Sequence, residues 1–566
     1  EADIEAVAEG IAGKALSDKL LSMAGAAGDI VCAGSFAGGF DAFDTKLTLT
    51  TQAGNASFAA TRKPLAGAGK AAALTASADV RHLRLGRLLQ NRALGAASAS
   101  VRFAGSVNDG ALTGEVKGVV GSFEFKDCVY DSLKISGHIN NRSFSGSAHS
   151  DGGPLRMALS GMADMNGEHP IYDFKLRLEQ ADLHAMNINR RDSVALLGFD
   201  ADLYATGNGA DDMNGSLTID NGRYIYNVDT LRSGEMNITA RSAGGKRSLN
   251  LTSDFADAAF TGPTSYAVLV RYLRVSMRKY LPVISDAAPI DYEGDSDGYS
   301  ALSVTVKNVD PLLDAVSDGL QLARGSKFNF VLNPAANRIL LRAESDYLER
   351  NNVLATKLNL NVTNQGDSLA MYLSTEDFYA GTFHMPQLSV MGGAKNDRVT
   401  LSAGFSDTAD SLSGVIGLSA EIMRDPESGM RRVAMNIFPT TITQGRKDWR
   451  ITSDRITIDT ARIEIRDFTV RSDGQMLHLD GIASRSRADS ITLRLSKFNL
   501  APFMGFAMRM GYTINGYGNG EASMKAALNR GEMTADIDLD SLSVNGISVV
   551  PLCIESHWDF EQQRAR

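Results

Sequence analysis

The sequence predicts an all-β protein with few short helices, laid out as a long antiparallel meander. Two observations carry that prediction. Apolar and polar residues alternate at period two through most of the 566 residues, the pattern of strands with one face out of water. Clusters of Asn, Asp and Gly interrupt the alternation at short intervals, where hairpins turn.

The alternation begins at Leu47 and Leu49 and recurs at Val101/Phe103, Phe123/Phe125, Leu133/Ile135 and Phe174/Leu176/Leu178. It continues at Leu217/Ile219, Leu249/Leu251, Val304/Val306, Phe328/Phe330 and Leu358/Leu360/Val362. It is densest at Ile456/Ile458, Ile463/Ile465, Leu477/Leu479 and Leu493/Leu495. Turns are expected at Asn108 to Gly110, Asn221 and Gly222, Asp473 and Gly474, Asn515 and Gly516, Asn529 to Gly531, and Asn545 and Gly546. Gly516, Gly518 and Gly520 read as a hairpin bend, because no helix follows to make a phosphate loop.

Helical spacing is confined to a few places. It is seen near 3–23, near 84–93, at 264–281, at 311–322 behind Pro311, and at 500–510. The helix at 264–281 sets Val268, Leu269, Leu273 and Met277 against Arg271, Arg274, Arg278 and Lys279. An Asp or Asn recurs at strand ends (Asp79, Asp182, Asp310, Asn499) and suits the N-cap of a following helix. The acidic segment 283–298 has no alternation. It separates a strand-rich part, 1–282, from a second, 299–566.

Composition removes several function classes. Lys and Arg number 57 against 66 Asp and Glu, a net charge of −9, so the basic surplus of a nucleic-acid binder is missing. Cys32, Cys128 and Cys553 are too few and too scattered for a disulfide scaffold or a metal site. None of the eight His stands in a metal-binding motif, and no nucleophile or phosphate-loop motif occurs. No catalytic residue, metal or cofactor is expected. No run of 18 apolar residues exists. The opening residues lack an initiator Met and a leader pattern, and alternation still runs at Trp558 to Phe560, so the sequence reads as an internal fragment.

What remains is a global feature. Many strands with one apolar face have few helices to cover them, and that face must be buried against something. It can close on itself as sandwiches or barrels. It can also curl into a trough filled by a ligand. Alternation alone is compatible with each.

Residues 448–503 (DWRITSDRITIDTARIEIRDFTVRSDGQMLHLDGIASRSRADSITLRLSKFNLAPF) resemble the repeating unit of the TamB and wider AsmA-like proteins. So do ADLHAM at 181–186, LNLTSDFADAAFTG at 249–262 with the basic helix after it, and NGEASMKAALNRGEMTADIDLDSLSVNGISV near the end. The resemblance is closest to the translocation and assembly module proteins of Bacteroidetes-type bacteria.

That resemblance implies a non-enzymatic protein of the periplasm, anchored in the inner membrane in its full-length form, whose sheet curls into an elongated apolar groove. It implies movement of phospholipid between the inner and outer membranes and a barrel-assembly partner in the outer membrane. The alternating residues Leu176, Leu178, Leu217, Ile219, Leu249, Leu251, Leu358, Leu360, Ile456, Ile458, Ile463, Ile465, Leu493 and Leu495 are then the expected groove lining. Arg271, Arg274, Arg278 and Lys279 are the expected head-group contacts. Two rival readings stand beside it. One is a scaffold pairing its sheet edge with client strands during outer-membrane protein assembly. The other is a tandem β-sandwich binding protein.

Overall fold

Period-two alternation produces strands almost everywhere it occurs. A computed structural model describes residues 29–565 apart from 40, 66–70, 90, 92, 285–297, 318, 382, 408–411, 426–428, 500–513, 530, 545–546, 549–551 and 560–563. Among the described residues there are 37 strands of three residues or more and two of only two residues. The chain is all-β, and its strands pair antiparallel, mostly with their near neighbours in sequence, as a meander. It divides into two compact units, Glu1–Ala259 and Phe260–Arg566. The division precedes the acidic segment, most of which lies outside the described residues.

In the first unit the strands run from Ile30–Gly39 and Ala42–Thr51 through Ala72–Arg84, Leu94–Asn108 and Cys128–Asn140 to Ile171–Asp182, Asn214–Tyr226 and Lys246–Thr252. Tight turns such as Asp109 (φ +46°) and Gly110 (φ +84°) link them, and this left-handed pair matches the twist of the flanking strands. The second unit repeats the plan. Its strands include Ser300–Val306, Lys327–Asn333, Arg338–Arg350, Val353–Gln365, Arg455–Ile458, Arg462–Ser472, Ser490–Asn499 and Ile514–Lys525.

Several long strands are broken in one recurring manner. Val80 pairs with Ala99 and Leu83 with Ala97, so one extra residue is taken up between them. The same shift separates Leu178 from Ala181, Ile465 from Phe468, and Leu495 from Phe498. His82, Asp467 and Lys497 sit at these bulges with φ of +48°, +48° and +44°. Bulges bend a strand and raise its twist, so each sheet is folded along a corner. Buried side chains collect there. Ala53 and Leu88 pack with Leu83, and Phe498 meets Trp449 edge-on at 5.7 Å.

Several expectations are corrected. The helix near 84–93 is the single turn α1 (Leu85–Leu88). That at 264–281 is α2 (Tyr266–Tyr280). That at 311–322 is α3 (Asp310–Val316), which stops before Gly319 at φ +65° and gives way to the strand Leu320–Leu322. The segments 3–23 and 500–510 lie outside the described residues.

Asp79 is mid-strand and caps no helix. Asp310 is the first residue of α3 and makes no cap bond to it; its Oδ1 accepts from the Leu322 N–H at 3.5 Å. Asp182 does accept the Ala185 N–H at 2.9 Å, but over one isolated turn. Asn221 and Gly222 make no hairpin. They fall inside Asn214–Tyr226 at a bulge, with Asn221 at φ +54°. Gly516, Gly518 and Gly520 make no bend either, being part of the strand Ile514–Lys525.

Candidate functional site

Residues paired directly across an antiparallel sheet share a face, so the register traces each face strand by strand. In the first unit Leu47 pairs with Phe58, Phe58 with Ala78, Ala78 with Val101 and Val101 with Gly118. The row continues through Ile135, Ala148, Leu159, Leu176 and Ala201 to Ile219. The adjacent row runs Phe103, Val116, Gly137, Gly146, Gly161, Phe174, Leu203, Leu217, Ile238 and Leu251. Neither row contains an ionisable group.

The opposite face is its inverse. Its parallel row reads Lys46, Ala59, Ser77, Arg102, Lys117, Ser136, Ser147, Ser160, Lys175 and Asp202. Lys175 and Asp202 pair there at 2.7 Å, and this contact holds the Lys175 ammonium pKa above its ordinary value, first through the hydrogen bond and then through charge.

Among the described residues little covers the apolar face. Leu47, Phe58 and Val101 keep 38%, 41% and 43% of their surface exposed, while Ile135, Leu159, Leu176 and Ile219 are half-buried. Among the described residues, buried apolar side chains form only two small clusters. A closed sandwich would bury these rows against a second layer. A single layer leaves them half-buried by their own neighbours, as here.

The second unit has the same construction. Phe328 leads through Ala343 to Leu360, Leu373, Val390 and Ala403. Further along, Met435 pairs with Ile456 and Ile456 with Ile465; Ile465 then pairs with Gly481 and Gly481 with Ile491. Gly481 (φ +120°) and Gly520 (φ +127°) let neighbouring backbones close up on this side. A Cβ at Gly520 would stand 2.1 Å from the Asp536 carbonyl oxygen. Glycine kinks of this sort curl a sheet.

The register therefore places Leu176, Leu178, Leu217, Ile219, Leu249 and Leu251 together on the apolar face of the first unit. It places Leu358, Leu360, Ile456, Ile458, Ile463, Ile465, Leu493 and Leu495 on that of the second. Leu178 and Ile456 are buried at the corner, Ile458 is exposed, and the rest are half-buried.

The basic helix is differently engaged. Its C-terminal end packs onto the apolar face, where Tyr280 and Leu281 meet Leu369, Ala394, Val399 and Ile422. The Asp397 N–H donates to the Tyr280 carbonyl at 3.0 Å, and the Tyr272 hydroxyl donates to Asn337 at 3.0 Å. Burial pushes the Tyr272 phenol up to about 12, with Tyr280 adding to the shift. Of the four expected head-group cations, Lys279 pairs with Asp367 at 3.2 Å, Arg278 is half-buried and Arg271 is exposed. The side chain of Arg274 lies outside the described residues. The helix closes one border of the face.

Sequence reasoning missed the small residues. Ala78, Gly118, Ala148, Gly137 and Gly146 are among the Ala and Gly that hold about a third of the positions in the two rows of the first unit, yet Ala and Gly do not register as an apolar stripe. Their alternation with Ser, Thr and Lys was the usable signal. Among the described residues one cluster of metal-ligating types, Asp536, Cys553 and Glu555, stands exposed at the surface.

No protein-family model, no curated protein and no solved structure matches this chain.

Proposed function

We propose that this chain is part of a bridge-like lipid-transfer protein of the TamB and AsmA-like kind, carrying phospholipid through the periplasm along an apolar β-groove. The observation that carries the reading is an apolar face within each unit, with polar residues behind it and, among the described residues, little packed in front. A two-tailed lipid has around 30 methylenes, each worth about 0.8 kcal/mol on burial. Crossing water unaided would cost on the order of 20 kcal/mol. A strip of Leu, Ile, Val, Phe, Ala and Gly exchanges one apolar surrounding for another, so a lipid can move along it without a deep barrier. The lining carries no catalytic constellation, and the reading requires none.

The test is native mass spectrometry of the chain purified from a bacterial envelope without detergent. Phospholipid should accompany it. Leu176→Asp combined with Leu495→Asp should strip that lipid, whereas Ser160→Asp with Ser523→Asp on the opposite face should not. A protein found at its bare sequence mass, in envelopes rich in phospholipid, overturns the reading.

A further inference from the structure

The outer face of the second unit, behind its apolar face, departs from the charged pattern of the first. The register lines up Asn361, Tyr372, Met391, Ser402 and Gly417 across Val353–Gln365, Ser368–Ser374, Ser389–Lys395, Arg398–Ser406 and Leu412–Arg424. Phe438 continues the row from the end of Arg431–Ile437, its N–H donating to the Gly417 carbonyl at 2.8 Å. Tyr372, Met391 and Ser402 alternate with Leu373, Val390 and Ala403 of the apolar face, so they stand on the side away from it. The parallel rows, from Asn359 to Val415 and from Thr363 to Asn436, hold only Asn, Ser, Thr, Ala, Gly and Val. None of the three rows has a charged side chain, whereas the outer row of the first unit carries Lys46, Arg102, Lys117, Lys175 and Asp202.

Large apolar side chains project from this neutral field. Tyr372, Met391, Val415 and Phe438 keep 47%, 62%, 59% and 50% of their surface exposed. Met391 is paired directly with Tyr372, and Val415 is two residues from Gly417 on one strand, so the four share one surface. Between them Gly404 and Gly417 have no side chain, and an open cleft of about 870 Å³ runs over Ser389, Ser402, Gly404, Gly417 and Phe438. Charge returns at the borders, with Arg342 beside Asn361 and with exposed Lys395, Arg398 and Glu421 at the hairpin end. An uncharged centre with exposed Tyr, Met and Phe inside a charged rim is the composition of a protein–protein interface.

We propose that this outer face of the second unit pairs with the same face of a second copy of the chain. Met391, Val415 and Phe438 project beside the hollow at Gly404 and Gly417, so one patch offers both the knobs and the holes of a self-complementary twofold contact. A neutral centre also meets its own copy without like-charge repulsion. Size agrees. Six strands about 4.8 Å apart and about 20 Å long give roughly 600 Å² per chain, and about 1,200 Å² for the pair is the lower bound of a stable interface. Sheets stacked this way lie about 10 Å apart, and both apolar faces then point outward, free of the contact. The pairing stands independently of the lipid-groove reading.

The experiment is sedimentation velocity of the full chain over a concentration series. A reversible dimer that dissociates in the range of about 1–10 µM is expected for an interface of this size. Met391→Lys with Val415→Lys should raise the dissociation constant at least about 100-fold, because like charges then face each other. Ser160→Lys with Ser216→Lys adds the same charge to the outer face of the first unit and should change it less than about threefold. Should the Met391 and Val415 pair fold poorly, Tyr372→Glu alone replaces it, with a loss of at least about tenfold expected. Leu176→Asp with Leu495→Asp, on the apolar faces, should leave the dimer intact. A dimer lost in that variant and kept in the outer-face variants associates through its apolar face and overturns the proposal. So does a chain that stays monomeric at about 100 µM, which would leave the outer patch to a different protein.

Discussion

Val80 and Leu83 stand on one side of the sheet although they are three residues apart. Val80 pairs with Ala99 and Leu83 with Ala97, and alternate residues of one strand share a face. His82 absorbs the extra residue at φ +48°, with its own N–H donating to the Ser98 hydroxyl at 3.0 Å. The corner of the first sheet depends on this left-handed residue.

His82 should accept glycine and reject β-branching. His82→Gly relieves the left-handed conformation and should leave stability at or above that of the parent. His82→Val should lose about 1–2 kcal/mol, the cost of a Cβ in that region. Urea midpoints decide it, and equal midpoints for Gly and Val would show that the bulge bears no strain.

The same geometry explains which parts of the fold are legible in the sequence. Strands such as Ile171–Asp182 announce themselves because Phe174, Leu176 and Leu178 fall on one face. The alternation then breaks at Glu179 and Gln180 before Ala181, and an apolar–polar–polar–apolar step is the written trace of a bulge. It reads as noise, or as a strand end, unless the register is known. The Asp that follows at 182 then resembles a helix cap. Asn221 and Gly222 misled for a related reason: left-handed residues serve turns and bulges alike. Whether the apolar face was covered could not be read at all, since a sandwich and a trough share one local pattern.

Two glycines should behave oppositely. Gly520 has φ +127° and an added Cβ would stand 2.1 Å from a neighbouring carbonyl oxygen, so Gly520→Ala should cost about 2 kcal/mol or more. Gly474 also has positive φ, +79°, but open space around it. Gly474→Asn should cost well under about 1 kcal/mol, because Asn tolerates a left-handed turn. Comparable losses at both sites would remove the close backbone approach as a cause.

The tyrosines that anchor α2 differ in sign. Tyr280 is fully buried and its hydroxyl has no hydrogen-bond partner among the described residues. Tyr280→Phe should therefore be neutral or stabilising by up to about 1 kcal/mol. Tyr272→Phe loses the bond to Asn337 and should cost about 1 kcal/mol. The Tyr272 phenol is raised from 10.0 to about 12. Its contribution is full below the ordinary value and is lost as pH rises through the folded one. Tyr272→Phe should flatten that alkaline decline.

Acid should act through Glu464 and Asp192. Glu464 accepts from Arg466 Nε at 2.8 Å and from Arg462 at 2.8 Å. The Arg466 hydrogen bond, with the charges of both arginines, holds its carboxyl below the ordinary value. Asp192 is buried, and Arg191, Asn189 and Asn227 hold its carboxyl down in the same way. A depressed carboxyl stabilises the fold above its ordinary pKa, and that stability is lost as pH falls through the folded value. Stability should decline between about pH 5 and pH 3, and less steeply in Glu464→Gln and Asp192→Asn. Unchanged slopes in both variants would place the acid sensitivity elsewhere.

The cost of burying charge separates an open trough from a closed sandwich. Leu176 is half-buried and paired with Leu159 and Ala201 on the apolar face. If a second layer lay over it, Leu176→Asp would strand a carboxylate in the interior and cost well above about 3 kcal/mol. With the face open, the carboxylate keeps its water and the loss should stay below about 1.5 kcal/mol. Phe498, 1% exposed at the corner, supplies the internal standard for a closed environment, and Phe498→Asp should prevent folding. A Leu176→Asp protein that melts close to the parent but no longer carries lipid would join the two halves of the argument, because the face would then be dispensable for folding and required for binding. A Leu176→Asp protein that fails to fold, as Phe498→Asp does, would mean that the face is core.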